Sequence, residues 1–243
     1  MTILTELIAF IRRPVFTSVH VPMTGQSIID LFKLLGLTFV LATVSVMISA
    51  GLYVLLVGAP AQHSEGFNEA LTRGDQFFIA AVLIGPVIEE LLFRSWLGKV
   101  WSILLIMPTL LCFSAVLILA SQMQAAPRLS MIGVMIVMGS LGLYLSRYHQ
   151  TKSITDVNDE LRHDAAVRAI FPYVFWTTTV LFALLHMSNY AQQGFTPFLM
   201  VLVIPQFIIG TIFGFVRMRF GVFQAIGFHG VYNGLFVGLF LLN

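Results

Sequence analysis

Six ionisable or strongly polar residues lie within apolar stretches of this 243-residue chain. They are Glu89, Glu90, Arg94, His186, His229 and Asn233. A charge in hydrocarbon costs from about 2.5 kcal/mol to more than 10 kcal/mol, so residues of this kind are candidates for function. Carboxylate, imidazole and amide groups can activate water, donate to an oxyanion or bind a metal.

The first group contains two adjacent carboxylates and an arginine. On a helix, Glu90 and Arg94 share one face four residues apart, so they are predicted to neutralise each other. Glu89 is rotated by about 100° from Glu90 and has no partner nearby in sequence. Glu89 is therefore the carboxylate predicted to be free for acid-base chemistry. The alternative is that all three side chains mark the end of a span and extend to water.

The other candidates are two histidines and an asparagine. His186 lies near the end of an apolar stretch, where the alternative is an ordinary interfacial residue. His229 and Asn233 are one helical turn apart, so both are predicted to converge on one point, where they could bind an oxyanion or a metal. The alternative is a hydrogen bond between helices. The neighbouring glycines are predicted to be packing surfaces: Gly230, Gly234 and Gly238.

The composition shows which elements must position these residues. The chain is 58% hydrophobic and 10% charged, against about 25% charged residues in an ordinary soluble domain. Its mean hydropathy is +0.92. Each long apolar stretch is close to the roughly 17–25 residues that a membrane-crossing helix needs. We therefore predict an all-α, polytopic transmembrane helical bundle with about seven spans: 34–58, 76–97, 100–120, 129–146, 168–187, 197–216 and 222–242.

The basic residues predict the orientation, because cytoplasmic loops retain Lys and Arg. With a cytoplasmic N-terminus, the inner regions hold ten of the 13 basic residues, the outer regions hold Arg73 and Arg128, and Arg94 lies within the membrane. Residues 1–33 are predicted to form a tail with an interfacial helix, or else a loosely ordered segment. Residues 34–243 are predicted to form one integral-membrane domain, with inserted helices at about 99–146 and a solvated cytoplasmic loop at about 147–167.

Several classes of function are disfavoured. The single cysteine, Cys112, excludes a disulfide within the chain and a cysteine-based zinc site. No basic surface interleaved with aromatic residues is apparent, so nucleic acid is not an expected partner. The lipid bilayer is an expected partner, whereas the sequence does not indicate an oligomeric state.

The order and spacing of the polar residues resemble three signature motifs of a known family. The segments are Glu89-Glu90-x-x-x-Arg94, Phe182-x-x-x-His186 and His229-x-x-x-Asn233. This pattern is similar to that of the CAAX protease and bacteriocin-processing family (CPBP, also called Abi), which includes the type II CAAX prenyl endopeptidases. The resemblance covers about residues 76–97 and 168–243. Members of the family usually carry the second motif on the span after the first, whereas here two apolar segments intervene.

The resemblance implies an intramembrane endopeptidase that cleaves a membrane-embedded or lipid-anchored, CAAX-like protein or peptide. By that resemblance, Glu89 is the general base that activates water and His186 holds or polarises the water. His229 and Asn233 would bind the carbonyl oxygen as it becomes an oxyanion. Glu90 and Arg94 form the pair that positions the base.

A metal-dependent scheme is the alternative that the resemblance leaves open. In it, Glu89, His186, His229 and Asn233 would bind a divalent metal such as zinc, although the HExxH pattern of zincins is absent. Alternatives of another class are a non-catalytic immunity or scaffold protein and a small transporter with buried Glu and His. The short loops favour the bacterial inner membrane as the location.

One calculation argues against bringing Glu89 and His186 together. At 1.5 Å per residue, Glu89 lies about 12 Å from the inner end of its predicted span, whereas His186 lies about 27 Å from the inner end of its own. Helix tilt, a kink near Pro86 or a longer second span that continues through Lys99 would be needed to match their depths. The catalytic interpretation requires that Glu89, His186, His229 and Asn233 line one water-accessible pocket.

Overall fold

The structure is a computed structural model that describes residues 2–17, 20–94, 97, 157–190 and 198–241. The described residues form helices and no strand, apart from one isolated bridge between His63 and Tyr190. The chain divides into two compact units, one of Met1–Ser95 with Trp176–Asn243 and one of Trp96–Phe175. All six candidate residues belong to the first unit.

Nine α-helices are described. Their bounds are α1 Ile3–Arg12, α2 Gly25–Val57, α3 Glu65–Thr72, α4 Asp75–Ile79, α5 Gly85–Phe93, α6 Val157–Leu185, α7 Leu199–Leu202, α8 Ile204–Phe220 and α9 Val222–Leu241. A π-helical segment, Ala80–Ile84, joins α4 to α5, and a 3₁₀ turn, His186–Asn189, follows α6.

Four described helical segments are long and apolar enough to cross a membrane: Gly25–Val57, Asp75–Phe93, Val167–Asn189 and Val222–Leu239. They coincide with four of the predicted spans, and the all-α polytopic bundle is confirmed. The predicted span 197–216 is wrong in its bounds, because α7 and α8 are separate helices that meet at Val203. The predicted spans 100–120 and 129–146 lie outside the described residues. The count of seven spans and the cytoplasmic N-terminus stay predictions.

The last part of the predicted cytoplasmic loop is helical. Helix α6 begins at Val157, so residues 157–167, which were predicted as loop, belong to the same continuous helix as the predicted span that starts at Arg168. The segment Asp159-Glu-Leu-Arg162 consists largely of good helix formers, and its charged composition concealed that tendency. Residues 147–156 of the predicted loop lie outside the described residues.

Helix α8 packs against α2 and α9, and nearly every residue of its last three turns is buried. The buried stripe of α2 consists mainly of small or polar residues at spacings of three and four: Ser27, Asp30, Leu34, Thr38, Ala42, Ser45 and Ser49. Large apolar side chains such as Phe32, Met47 and Leu55 are exposed on the same helix. Small residues inside and large apolar ones outside are typical of helices that associate in lipid.

The N-terminal segment forms a helix that packs on the bundle. Thr2 caps α1, and Ile3, Leu7 and Phe10 are buried on one face. The Phe10 ring lies 5.4 Å from that of Phe215 in α8. The alternative of a loosely ordered tail is therefore wrong for residues 3–12. The location of α1 at the membrane interface stays a prediction. The apolar residues that α1 exposes, and that could contact lipid there, are Leu4, Ile8 and Ile11.

Candidate active site

Glu90 is the centre of a closed polar cluster. Its side chain is completely buried, and its Oε1 atom accepts from Arg94 Nη1 at 2.5 Å and from His229 Nδ1 at 3.0 Å. The helical spacing of four residues brings Glu90 and Arg94 together, as the sequence predicted. The contact with His229, which comes from α9, adds a second donor that the sequence did not reveal.

Arg94 is enclosed by aromatic rings and backbone. Its guanidinium carbon lies 4.4 Å from the centre of the Phe182 ring, and Nη2 donates to the Gly210 carbonyl at 3.3 Å. A Cβ atom at position 210 would lie 2.8 Å from Phe182 Cδ1, so glycine is required for this close approach. A charge removed from water needs such partners, and Arg94 has a carboxylate, a carbonyl and a ring.

His229 lies between the two adjacent carboxylates. Because the Glu90 carboxylate accepts, His229 Nδ1 carries the proton that is donated to it. The other ring nitrogen, Nε2, lies 3.7 Å from Glu89 Oε2, which is beyond a direct hydrogen bond. The Phe213 ring packs 4.2 Å from the imidazole. Glu90 therefore fixes the orientation of His229 with Nε2 directed at Glu89.

Glu89 is the carboxylate that reaches open space. Its side chain is 31% exposed, against 0% for Glu90. It lines a cavity of about 160 Å³ together with Phe93, Phe182, Leu185, His186, Ser188 and Asn189. Among the described residues, Oε2 of Glu89 has no hydrogen-bond partner, and the same holds for Oε2 of Glu90. The two carboxylates therefore differ in exposure, in access to the cavity and in the two hydrogen bonds that Oε1 of Glu90 accepts.

His186 lies in the same cavity as Glu89, which the depth calculation had argued against. Glu89 is close to the C-terminal end of α5, and His186 follows the C-terminal end of α6. These two helix ends meet at the cavity, which two straight antiparallel spans would not do. His186 Nδ1 donates to the Phe182 carbonyl at 2.9 Å, so in the neutral ring Nε2 is an acceptor.

Asn233 does not share its contact with His229. Its Nδ2 atom donates at 2.8 Å to the carbonyl of Ala81, a residue of the π-helical segment. Neither Asn233 nor His229 is among the residues that line the cavity of Glu89 and His186. The two side chains therefore hydrogen-bond different partners, and their convergence on one oxyanion stays a prediction. Asn233 reaches Ala81 because α9 packs on the π-helical segment, an irregularity that the sequence did not predict.

The glycines of α9 permit this approach, as predicted for Gly230 and Gly234. A Cβ atom at Gly230 would lie 2.8 Å from the Val82 carbonyl oxygen, and one at Gly234 would lie 3.5 Å from Val82 Cγ1. At Gly238 no described atom lies within 4 Å of such a Cβ, so its packing role stays a prediction.

The four proposed metal ligands are not grouped as a metal site in this arrangement. Within the part of the chain that the structure describes, no three His, Cys, Asp or Glu side chains are grouped closely enough to hold an ion, and the Asn233 amide is directed at Ala81. His186 and His229 each donate from Nδ1 to an oxygen, which leaves Nε2 of each ring as the nitrogen that could bind a ligand.

Comparison with known proteins supports the family resemblance. Residues 161–235 match the family model described as type II CAAX prenyl endopeptidase Rce1-like. The matched segment contains the second and third motifs, whereas the first motif, at 89–94, precedes it. A family of this description consists of proteases of the membrane. Comparisons with curated proteins and with solved structures found no match.

Proposed function

We propose that this chain is an intramembrane endopeptidase that hydrolyses a peptide bond of a membrane-associated protein. The observation that carries the proposal is the cavity that Glu89 and His186 share, with one unpaired carboxylate oxygen directed at His229. The match of residues 161–235 to a CAAX endopeptidase model supports the same reaction class. A lipidated or CAAX-like substrate and a bacterial inner-membrane location are part of the proposal.

In the proposed mechanism, a water molecule lies between Glu89 and His186. Both groups are acceptors, because Glu89 is a carboxylate and His186 presents Nε2 without a proton. The water donates one hydrogen to each, which leaves an oxygen lone pair for the substrate carbonyl. Glu89 takes a proton as the oxygen attacks, and it returns that proton to the amine nitrogen when the C–N bond breaks.

The oxyanion that forms in this step needs a donor. His229 is proposed to supply it from Nε2 when both of its ring nitrogens carry a proton. The Asn233 amide carries a second N–H besides the one donated to Ala81, and this second N–H is the proposed partner of the same oxygen. Glu90 and Arg94 are proposed to position His229 and the C-terminal turn of α5.

A cleavage assay tests the proposal. The purified chain in lipid nanodiscs is incubated with a library of prenylated and unprenylated peptides, and products are identified by mass spectrometry. Replacing Glu89 by Gln is expected to lower kcat about 10²-fold to 10⁴-fold, which is the usual contribution of a general base. Glu69→Gln is the control, because Glu69 is a glutamate with a 65% exposed side chain.

Three outcomes separate the alternatives. Equal product from the wild type and from Glu89→Gln would remove Glu89 as the base. No product with any peptide would favour the immunity, scaffold or transporter alternatives. Loss of turnover after treatment with a chelator, restored by zinc, would favour the metal-dependent scheme over the carboxylate scheme.

A further inference from the structure

A histidine near the N-terminus contacts the back of the candidate active site. His20 Nε2 lies 3.3 Å from Arg217 Nη1, and His20 Nδ1 lies 3.3 Å from the Met218 carbonyl oxygen. The residues are separated by almost 200 positions in sequence, so a local turn does not explain the contact. Neither His20 nor Arg217 belongs to the three motifs.

The partners of His20 define which ring nitrogen donates. A guanidinium only donates, so His20 Nε2 accepts from Arg217. A carbonyl oxygen only accepts, so His20 Nδ1 donates to Met218. His20 thus binds the Arg217 guanidinium on one side and the backbone of α8 on the other.

Arg217 continues from His20 to the cluster around Glu90. It is buried, and its Nε atom donates to the Arg94 carbonyl at 2.9 Å. Arg94 is the C-terminal cap of α5, so its carbonyl has no partner within the helix. A cation at a helix C-terminus also interacts favourably with the helix dipole. Arg217 therefore holds the residue whose side chain binds Glu90.

A second set of contacts anchors the N-terminal segment to α8 independently of His20. Val21 N donates to the Arg219 carbonyl at 2.8 Å, and Glu6 in α1 forms an ion pair with Arg219. The segment can thus be loosened without removing the contact between His20 and Arg217. This separation allows a positioning role to be distinguished from simple attachment.

We propose that His20 and Arg217 are positioning residues of the active site. The contacts run from His20 through Arg217 to the Arg94 carbonyl. From there, the Arg94 side chain continues to Glu90, which holds His229 beside Glu89. The proposal rests on the proposed endopeptidase function. It predicts that a change at His20 alters the rate of the chemical step and leaves substrate binding in the cavity almost unchanged.

The test compares three variants of the full chain in nanodiscs, with kcat and KM measured on a cleaved peptide. His20→Ala is expected to lower kcat about tenfold, because a partly buried hydrogen bond that positions Arg217 is lost. KM should stay within about twofold of the wild type. His20→Gln should restore most of kcat, because its amide can accept from Arg217 and donate to Met218. Glu6→Gln should leave kcat within about twofold, although it loosens α1.

Each contrary result has a distinct meaning. If His20→Ala keeps the wild-type kcat, or His20→Gln is as slow as His20→Ala, the positioning role is overturned while the endopeptidase function stands. If Glu6→Gln is as slow as His20→Ala, attachment of the segment is what matters, and the specific role of His20 and Arg217 is overturned. If the wild type cleaves no peptide, the proposed function fails, and this inference fails with it.

Discussion

Glu89 and Glu90 are adjacent in sequence, yet they lie in opposite environments. Glu90 is completely buried and accepts from Arg94 and His229, whereas the Glu89 side chain is 31% exposed and lines a cavity. The helical rotation of about 100° between neighbours produces this difference. It indicates that one carboxylate of the pair is suited to hold the structure and the other to react.

The largest expected effect concerns the closed cluster. Replacing Glu90 by Gln removes the negative charge that neutralises the buried Arg94, which should lower the free energy of unfolding by about 3–5 kcal/mol. Unfolding in mixed micelles by titration with SDS measures the change. Glu69→Gln is the matched control, because Glu69 and Arg73 have the same spacing but are exposed, so about 0.5 kcal/mol is expected. If both variants lost the same free energy of unfolding, burial would not be the reason why the pair of Glu90 and Arg94 stabilises the fold.

The second prediction concerns the cavity. His186→Gln keeps a polar side chain but changes the acceptor that faces the water, so kcat should fall about 10²-fold. Because the cavity is open, the free energy of unfolding should change by less than about 1 kcal/mol. Peptide cleavage and unfolding measured on one preparation separate these effects. His63→Gln, at an exposed histidine, is the control. If His186→Gln lost stability but kept the wild-type kcat, His186 would have a structural role and not a catalytic one.

The third prediction tests the contact between α9 and the π-helical segment. Gly230→Ala places a Cβ atom 2.8 Å from the Val82 carbonyl, so about 1–3 kcal/mol of stability should be lost. Gly227 lies on the same helix, and no atom of the residues that the structure describes comes within 4 Å of such a Cβ there. Gly227→Ala should therefore be neutral or slightly stabilising, by up to about 1 kcal/mol. Similar unfolding of both variants would show that α9 does not approach this segment closely.

The smallest loss of stability among the contacts of α9 is expected at Asn233. Asn233→Ala removes the hydrogen bond to the Ala81 carbonyl, which should cost about 1 kcal/mol of stability. Asn233→Asp should cost more, because an ionised carboxylate would face the carbonyl oxygen without a donor. Unfolding of the two variants gives the order. If the Asp variant is as stable as the wild type, the Asn233 amide is not bound to Ala81.

The sequence predicted the helical membrane fold and the pairing of Glu90 with Arg94, because both follow from local rules of hydropathy and helical spacing. It did not predict that His229 binds Glu90 or that Asn233 binds Ala81. Those contacts depend on how α9 crosses the π-helical segment, and a π turn has no clear signature in composition. The depth calculation for His186 failed because it assumed straight, antiparallel spans.

The residues that position the cluster around Glu90 were not predicted from the sequence either. His20 and Arg217 are ordinary residues by composition, and only the fold brings them together with the end of α5. An arginine inside an apolar stretch close to the third motif, Arg217, was the one signal in the sequence. Its partner His20 is almost 200 residues away, and no local pattern indicates that contact.

The most direct test of the proposed division between the two glutamates is to measure cleavage and unfolding for Glu89→Gln and Glu90→Gln in the same lipid. Glu89→Gln should lower kcat at least about 10²-fold and should stay as stable as the wild type. Glu90→Gln should lower the free energy of unfolding by about 3–5 kcal/mol. A Glu89→Gln variant that cleaves peptide at the wild-type rate would contradict the central claim.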